Sequence, residues 1–199
     1  MHFAAFDGDL KRVNDILAAG ERQPDVIAQT PWGYTPLHAS ADHGAIIKPS
    51  RPDRKPRHDA NAAVISALVA AGAAVDETVR YGSEAIDLTP FMLALASVHC
   101  ECLGALLGAG ADLGHQATMA FHAIVHSGRR GASTCVRHLL AHGVDPRASS
   151  RMDEWSNTPL DTLQEAHDHG NYDETPEEYA KVYSVLSSTG AKHASLRSR

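Results

Sequence analysis

A four-residue phrase, Thr35-Pro36-Leu37-His38, comes back along the chain as Thr89-Pro90-Phe91-Met92, Met119-Ala120-Phe121-His122 and Thr158-Pro159-Leu160-Asp161. A second phrase, apolar and ending in glycine, recurs as Ile16-Leu17-Ala18-Ala19-Gly20, Leu68-Val69-Ala70-Ala71-Gly72, Leu106-Leu107-Gly108-Ala109-Gly110, Leu139-Leu140-Ala141-His142-Gly143 and Val185-Leu186-Ser187-Ser188-Thr189-Gly190. Self-similarity constrains the fold more than composition does, because a recurring unit must be a small module that buries its apolar face against copies of itself. The phrases say what the module is. Thr at a helix start can cap exposed amides, and Pro just behind it sits in the first turn, where its missing N–H costs nothing. Gly at the far end supplies the left-handed conformation that stops a helix. Between them apolar residues recur at helical spacing: Val13, Ile16 and Leu17; Val64, Ile65, Leu68 and Val69; Cys102, Leu103, Leu106 and Leu107; Val136, Leu139 and Leu140. Aromatics are only 6% of the 199 residues while alanine is abundant, which favours thin helices packed close together. The expectation is an all-α fold.

On these residues the chain resembles the ankyrin-repeat family, whose unit of about 33 residues is a β-turn followed by two antiparallel helices with a Thr-Pro-Leu-His signature. The resemblance covers nearly the whole chain. It implies a single-domain solenoid over 1–199, with repeats near 1–30, 31–84, 85–114, 115–153 and 154–193 and a tail at 194–199. Met1-His2-Phe3-Ala4-Ala5 fits the same frame, so the first repeat starts without its own turn. Only the interval from Gly110 to Gly143 keeps the family length. Repeats two and five carry long inter-helix insertions, near 45–60 and 170–175, and Gly128-Arg129-Arg130-Gly131 is a smaller one in repeat four. The links between repeats, fingers in this family, are also uneven: 21–34 and 73–88 are long and 113–118 is short. Uneven loops imply a shaped binding surface.

Charge narrows the partners. A net charge of −6 and the lack of a basic stripe argue against nucleic acid. The longest apolar stretches are too short to span a bilayer, and the first residues lack both a basic leader and a long apolar run, so a cytoplasmic protein is expected. Two segments are unbalanced. Residues 47–57 hold five cations and three prolines, the composition of an exposed linker; residues 152–180 hold nine carboxylates and no Lys or Arg, which suits either a polar end cap or a surface that steers a basic partner.

No enzymatic chemistry emerges. His99-Cys100-Glu101-Cys102 has ligand-type residues but not the spacings zinc sites favour, and Cys102 and Cys135 fall on the buried stripe as small hydrophobes. Nucleophile elbows, phosphate-binding glycine loops and His-Glu-x-x-His motifs are missing from the sequence. Neither a catalytic residue nor a cofactor or metal site is therefore assigned. Trp32 and Trp155 occupy matching finger positions, where tryptophan is a frequent interface anchor. The expected partner-binding residues are Trp32, Tyr34, Asp42, His43, Ser97, His126, Asp153, Glu154, Trp155 and Glu165, on fingers and on a concave face formed by the first helices. The family likeness implies a protein-binding module, monomeric when free. A compact stand-alone ankyrin-like chain resembles bacterial immunity proteins that block a toxin with a basic cleft. The competing readings are a secreted effector or regulatory scaffold binding other proteins and, third, a metal-dependent enzyme.

Overall fold

Helices dominate because the sequence punctuates them so firmly, and among the described residues they number ten, arranged as five consecutive pairs. The computed structural model describes residues 1–19, 30, 33–42, 58–81, 86–113, 117–127, 130–147, 158–169 and 175–192. The pairs are α1 (His2–Phe6) with α2 (Leu10–Ala18), α3 (Pro36–Ala41) with α4 (His58–Ala70), α5 (Pro90–Ala96) with α6 (Cys100–Gly108), α7 (Ala117–Ser127) with α8 (Ala132–Ala141), and α9 (Pro159–His169) with α10 (Pro176–Ser188). No helix among them is long and apolar enough to cross a membrane. The chain forms two compact units, Met1–Asp112 with the first three pairs and Leu113–Arg199 with the last two.

Within each unit the members of a pair touch, and like stacks on like. In the first unit α3 packs on both α1 and α5, while α4 packs on both α2 and α6; in the second, α9 packs on α7 and α10 on α8. The apolar stripes meet at these contacts. Leu37, Val64, Ile65, Leu68, Phe91, Leu93, Leu103 and Leu106 are buried in the first unit, and Phe121, Ile124, Val136, Leu139, Leu163, Val182 and Leu186 in the second. Each such side chain contributes roughly 1.5–3 kcal/mol relative to leaving it in water. No single pair could hide its stripe alone.

The helix ends follow the local chemistry. Thr35, Thr89 and Thr175 are extended N-caps whose hydroxyls accept from the backbone N–H three residues on, each with Pro at the first helical position. The residue before Pro is barred from helical backbone, so these helices start sharply. Where Met119-Ala120 replaces Thr-Pro the barrier is gone, and α7 begins further upstream, at Ala117. The closing glycines Gly72, Gly110, Gly143 and Gly190 take φ of 96°, 88°, 92° and 80°, as the sequence requires.

Two details depart from the all-helical expectation or from ideal geometry. The long link 73–88 contains two short strands, β1 (Val79–Tyr81) and β2 (Ile86–Leu88), antiparallel with Val79 opposite Leu88 and Tyr81 opposite Ile86. The turns inside the first and third pairs share one hydrogen-bond pattern but not one residue. Gly8 sits at φ 65° where Val98 sits at φ 52°, a left-handed conformation that a β-branched side chain resists. A Cβ on Gly8 would also lie 2.3 Å from Asn61 Oδ1.

Candidate functional site

The polar groups with the most developed partnerships face inward and join neighbouring pairs. His38, three residues after its cap, accepts the Thr35 N–H at Nδ1 (3.2 Å) and places Nε2 3.2 Å from the Leu88 carbonyl, the residue just before the next cap. His2 makes the equivalent reach one pair earlier, Nε2 to the Tyr34 carbonyl at 2.9 Å. Burial pushes the His38 imidazole down to about 4, against the opposing pull of the Leu88 carbonyl, so it works as a neutral donor. Met92 stands at the same position in α5, and its side chain has no N–H to offer. On the second-helix side, the Asn61 amide donates to the Phe6 and Ser40 carbonyls, and Cys102 Sγ lies 3.7 Å from the Ser40 carbonyl. Burial, then the Glu101 charge, pushes the Cys102 thiol above its ordinary range, so this buried sulfur is a packing group rather than a nucleophile.

The second unit uses other groups for the same task. His122 Nδ1 lies 2.8 Å from Thr162 Oγ1, joining α7 to α9. Helix α8 opens on Gly131 without a side-chain cap of its own, and the Glu178 carboxylate from α10 accepts the Ser133 N–H at 2.9 Å in its place. Burial by itself would raise the Glu178 carboxyl. The Ser133 hydrogen bonds and the Lys181 ammonium, 3.6 Å away, outweigh that and hold it below the usual carboxylate range.

Two expected contact residues are thereby withdrawn from the surface. Tyr34 and Asp42 are buried, and the Tyr34 hydroxyl donates to Asp42 Oδ2 at 2.7 Å. Burial and the Asp42 charge raise the Tyr34 hydroxyl far above the ordinary tyrosine value. This buried pair supports the start and end of α3. Ser97 ends α5, and its Oγ is buried without a hydrogen bond. His126 lies in α7. Trp32, His43, Asp153, Glu154 and Trp155 lie outside the described residues, as do the basic segment 47–57 and most of the insertion at 170–175.

Glu165 is exposed on α9 as expected, and it has company. Asp168, one turn on, is exposed and accepts from the Gln164 amide at 2.9 Å, while Gln164 accepts from the Tyr179 hydroxyl at 3.0 Å. Glu177 is exposed at the start of α10. Among the described carboxylates of 152–180, Glu178 is buried as described, and Asp161, half-buried, accepts from the Thr158 N–H and hydroxyl at the start of its own helix. Tyr179 and Tyr183 fall outside the residues expected from sequence, though their i, i+4 spacing puts them on one face of α10. Their rings are near-parallel at 6.2 Å, and His167 of α9 lies 4.3 Å from Tyr179. Tyr183 is 43% exposed. Among the described residues no three His, Cys, Asp or Glu side chains converge as a metal site would require. No protein-family model matches the chain, and no curated protein matches it.

Proposed function

We propose that the chain is an ankyrin-like repeat protein that acts by binding another protein rather than by turnover, its partner carrying a basic surface. Support for the ankyrin-like reading comes from the Thr-Pro caps, the left-handed closing glycines and the like-on-like stacking within each unit. Stiff stacked hairpins present side chains with little ordering cost on binding, which is what a recognition surface needs. The observation that carries the choice of partner is the outward set of carboxylates on the last pair. Glu165, Asp168 and Glu177 are exposed in a stretch, 152–180, that contains no Lys or Arg. Such a field speeds encounter with a basic partner and fixes its register at contact.

Within this reading the role is that of an inhibitor or immunity protein covering the basic cleft of a toxin or effector enzyme, in the cytoplasm, with the finger loops and the first-helix face adding contacts. The test is affinity capture of the tagged chain from its native cell, with mass-spectrometric identification of what co-purifies. The expected result is one stoichiometric basic protein whose activity falls when the purified chain is added back. Recovery of acidic partners only, or of a basic protein whose activity the chain leaves unchanged, would overturn the inhibitor role.

A further inference from the structure

We infer that the Tyr179–Tyr183 face of α10, with His167 and Asp168 of α9, is a seat for an arginine side chain of the partner protein. The inference rests on the basic-partner reading above and narrows it from a charge to a shape. Three aromatic rings run in a row across two helices: His167 lies 4.3 Å from Tyr179, and Tyr179 lies 6.2 Å from Tyr183 with 19° between the ring planes. Apolar rings on the outside of a helix normally shrink from water, yet Tyr183 is 43% exposed while its helix neighbours Val182 and Leu186 are buried. The row is also held in place. The Tyr179 hydroxyl donates to Gln164 Oε1 (3.0 Å), whose amide nitrogen in turn donates to Asp168 Oδ1 (2.9 Å), so one hydrogen-bonded chain links the ring to a carboxylate through Gln164.

That combination selects among occupants. A purely apolar partner would carry exposed carboxylates from water into a low dielectric, which is costly. An ammonium is compact and strongly hydrated, and it satisfies the carboxylate without using the rings' flat surface. A guanidinium does both: its plane lies on an aromatic face within about 6 Å of the ring centre while its N–H groups reach a carboxylate. Charge agrees with this assignment, since Glu165 and Asp168 are exposed on α9 and Glu177 on α10, the two helices that carry the rings. The cation nearest in sequence, Lys181, is drawn to Glu178, 3.6 Å away.

The test compares fluorescein-labelled nona-arginine with nona-lysine, peptides of equal charge, by anisotropy on the full chain. Binding of the arginine peptide is expected to be stronger by about three- to five-fold, from the strength of exposed cation–π contacts. Tyr183→Ala should remove that preference and Tyr183→Phe should keep it, with circular dichroism confirming an unchanged fold. Backbone amide shifts on adding unlabelled nona-arginine to the wild type supply a readout independent of any variant, and they should cluster at 164–168 and 179–183. Equal affinity for the two peptides, a preference that survives Tyr183→Ala, or shifts elsewhere in the chain would each overturn the arginine seat. The two readings fail separately. A captured basic partner whose affinity ignores Tyr183→Ala sinks the seat alone, whereas arginine selectivity at this face with no inhibited partner sinks the inhibitor role alone.

Discussion

The two units solve one problem with different chemistry. Each must tie one helix pair to the next through a polar group that is cut off from water. In the first unit the buried ties are neutral: His38 reaches a backbone carbonyl, and Asn61 bridges two more. In the second the tie between α8 and α10 is a carboxylate, Glu178, supported by Ser133 and Lys181. A neutral donor needs only one good acceptor to be buried at low cost, whereas a buried charge needs several donors or a counter-ion. The units should therefore respond to acid at different points.

Acidification gives the largest effect. Because the folded His38 imidazole is depressed to about 4 from 6.5, the unfolded chain binds the extra proton first. The contribution is complete above pH 6.5 and is lost as pH falls towards 4, by up to about 3 kcal/mol. Urea midpoints at pH 7, 5.5 and 4.5 should show this loss, and His38→Gln should flatten it; a flat wild-type profile would break the contrast. Next comes Gly8→Ala, which combines a left-handed φ with a Cβ 2.3 Å from Asn61 Oδ1 and should cost about 2–3 kcal/mol by thermal or urea unfolding. A cost under about 0.5 kcal/mol would mean that Asn61 swings away freely. Glu178→Gln is smaller, about 1–2 kcal/mol at neutral pH, for a weakened charge-assisted bond to Ser133. Since the folded carboxyl is depressed, its contribution is present above the ordinary value of 4.5 and lost below it. The variant should lose that acid limb while keeping the one at pH 6.5 to 4. The smallest effect has the opposite sign: Val98→Gly removes a strained φ of 52° and should raise the melting temperature, by at most about 1 kcal/mol in stability.

What could be seen in the sequence was local. Thr-Pro starts, glycine stops and the stripe from Val64 to Leu68 depend on residues a turn apart, and the structure places them as expected, with Val69 only half-buried. What could not be seen depends on neighbours distant in the chain. Tyr34 reads as a finger residue and Asp42 as part of the first-helix face; only the packing around α3 hides them. Glu178 reads as one more surface acid, and its role as a cap comes from α8, 45 residues away. The strands at 79–81 and 86–88 are too short for a period-two pattern to register. The arginine seat sits between these cases. Tyr179 and Tyr183 show their shared face by spacing alone, but the link through Gln164 to Asp168 appears only once α9 and α10 are side by side.

Glu178 also limits how this molecule can be shortened. Repeat arrays invite trimming from the end, as if each module were a detachable brick. Here the final module lends its neighbour the group that closes the neighbour's opening turn, so a cut before Pro176 would strip α8 of its starting anchor as well as its cover. Any truncated version would need a replacement acceptor grafted beside Ser133 before its remaining helices could be compared fairly with the parent.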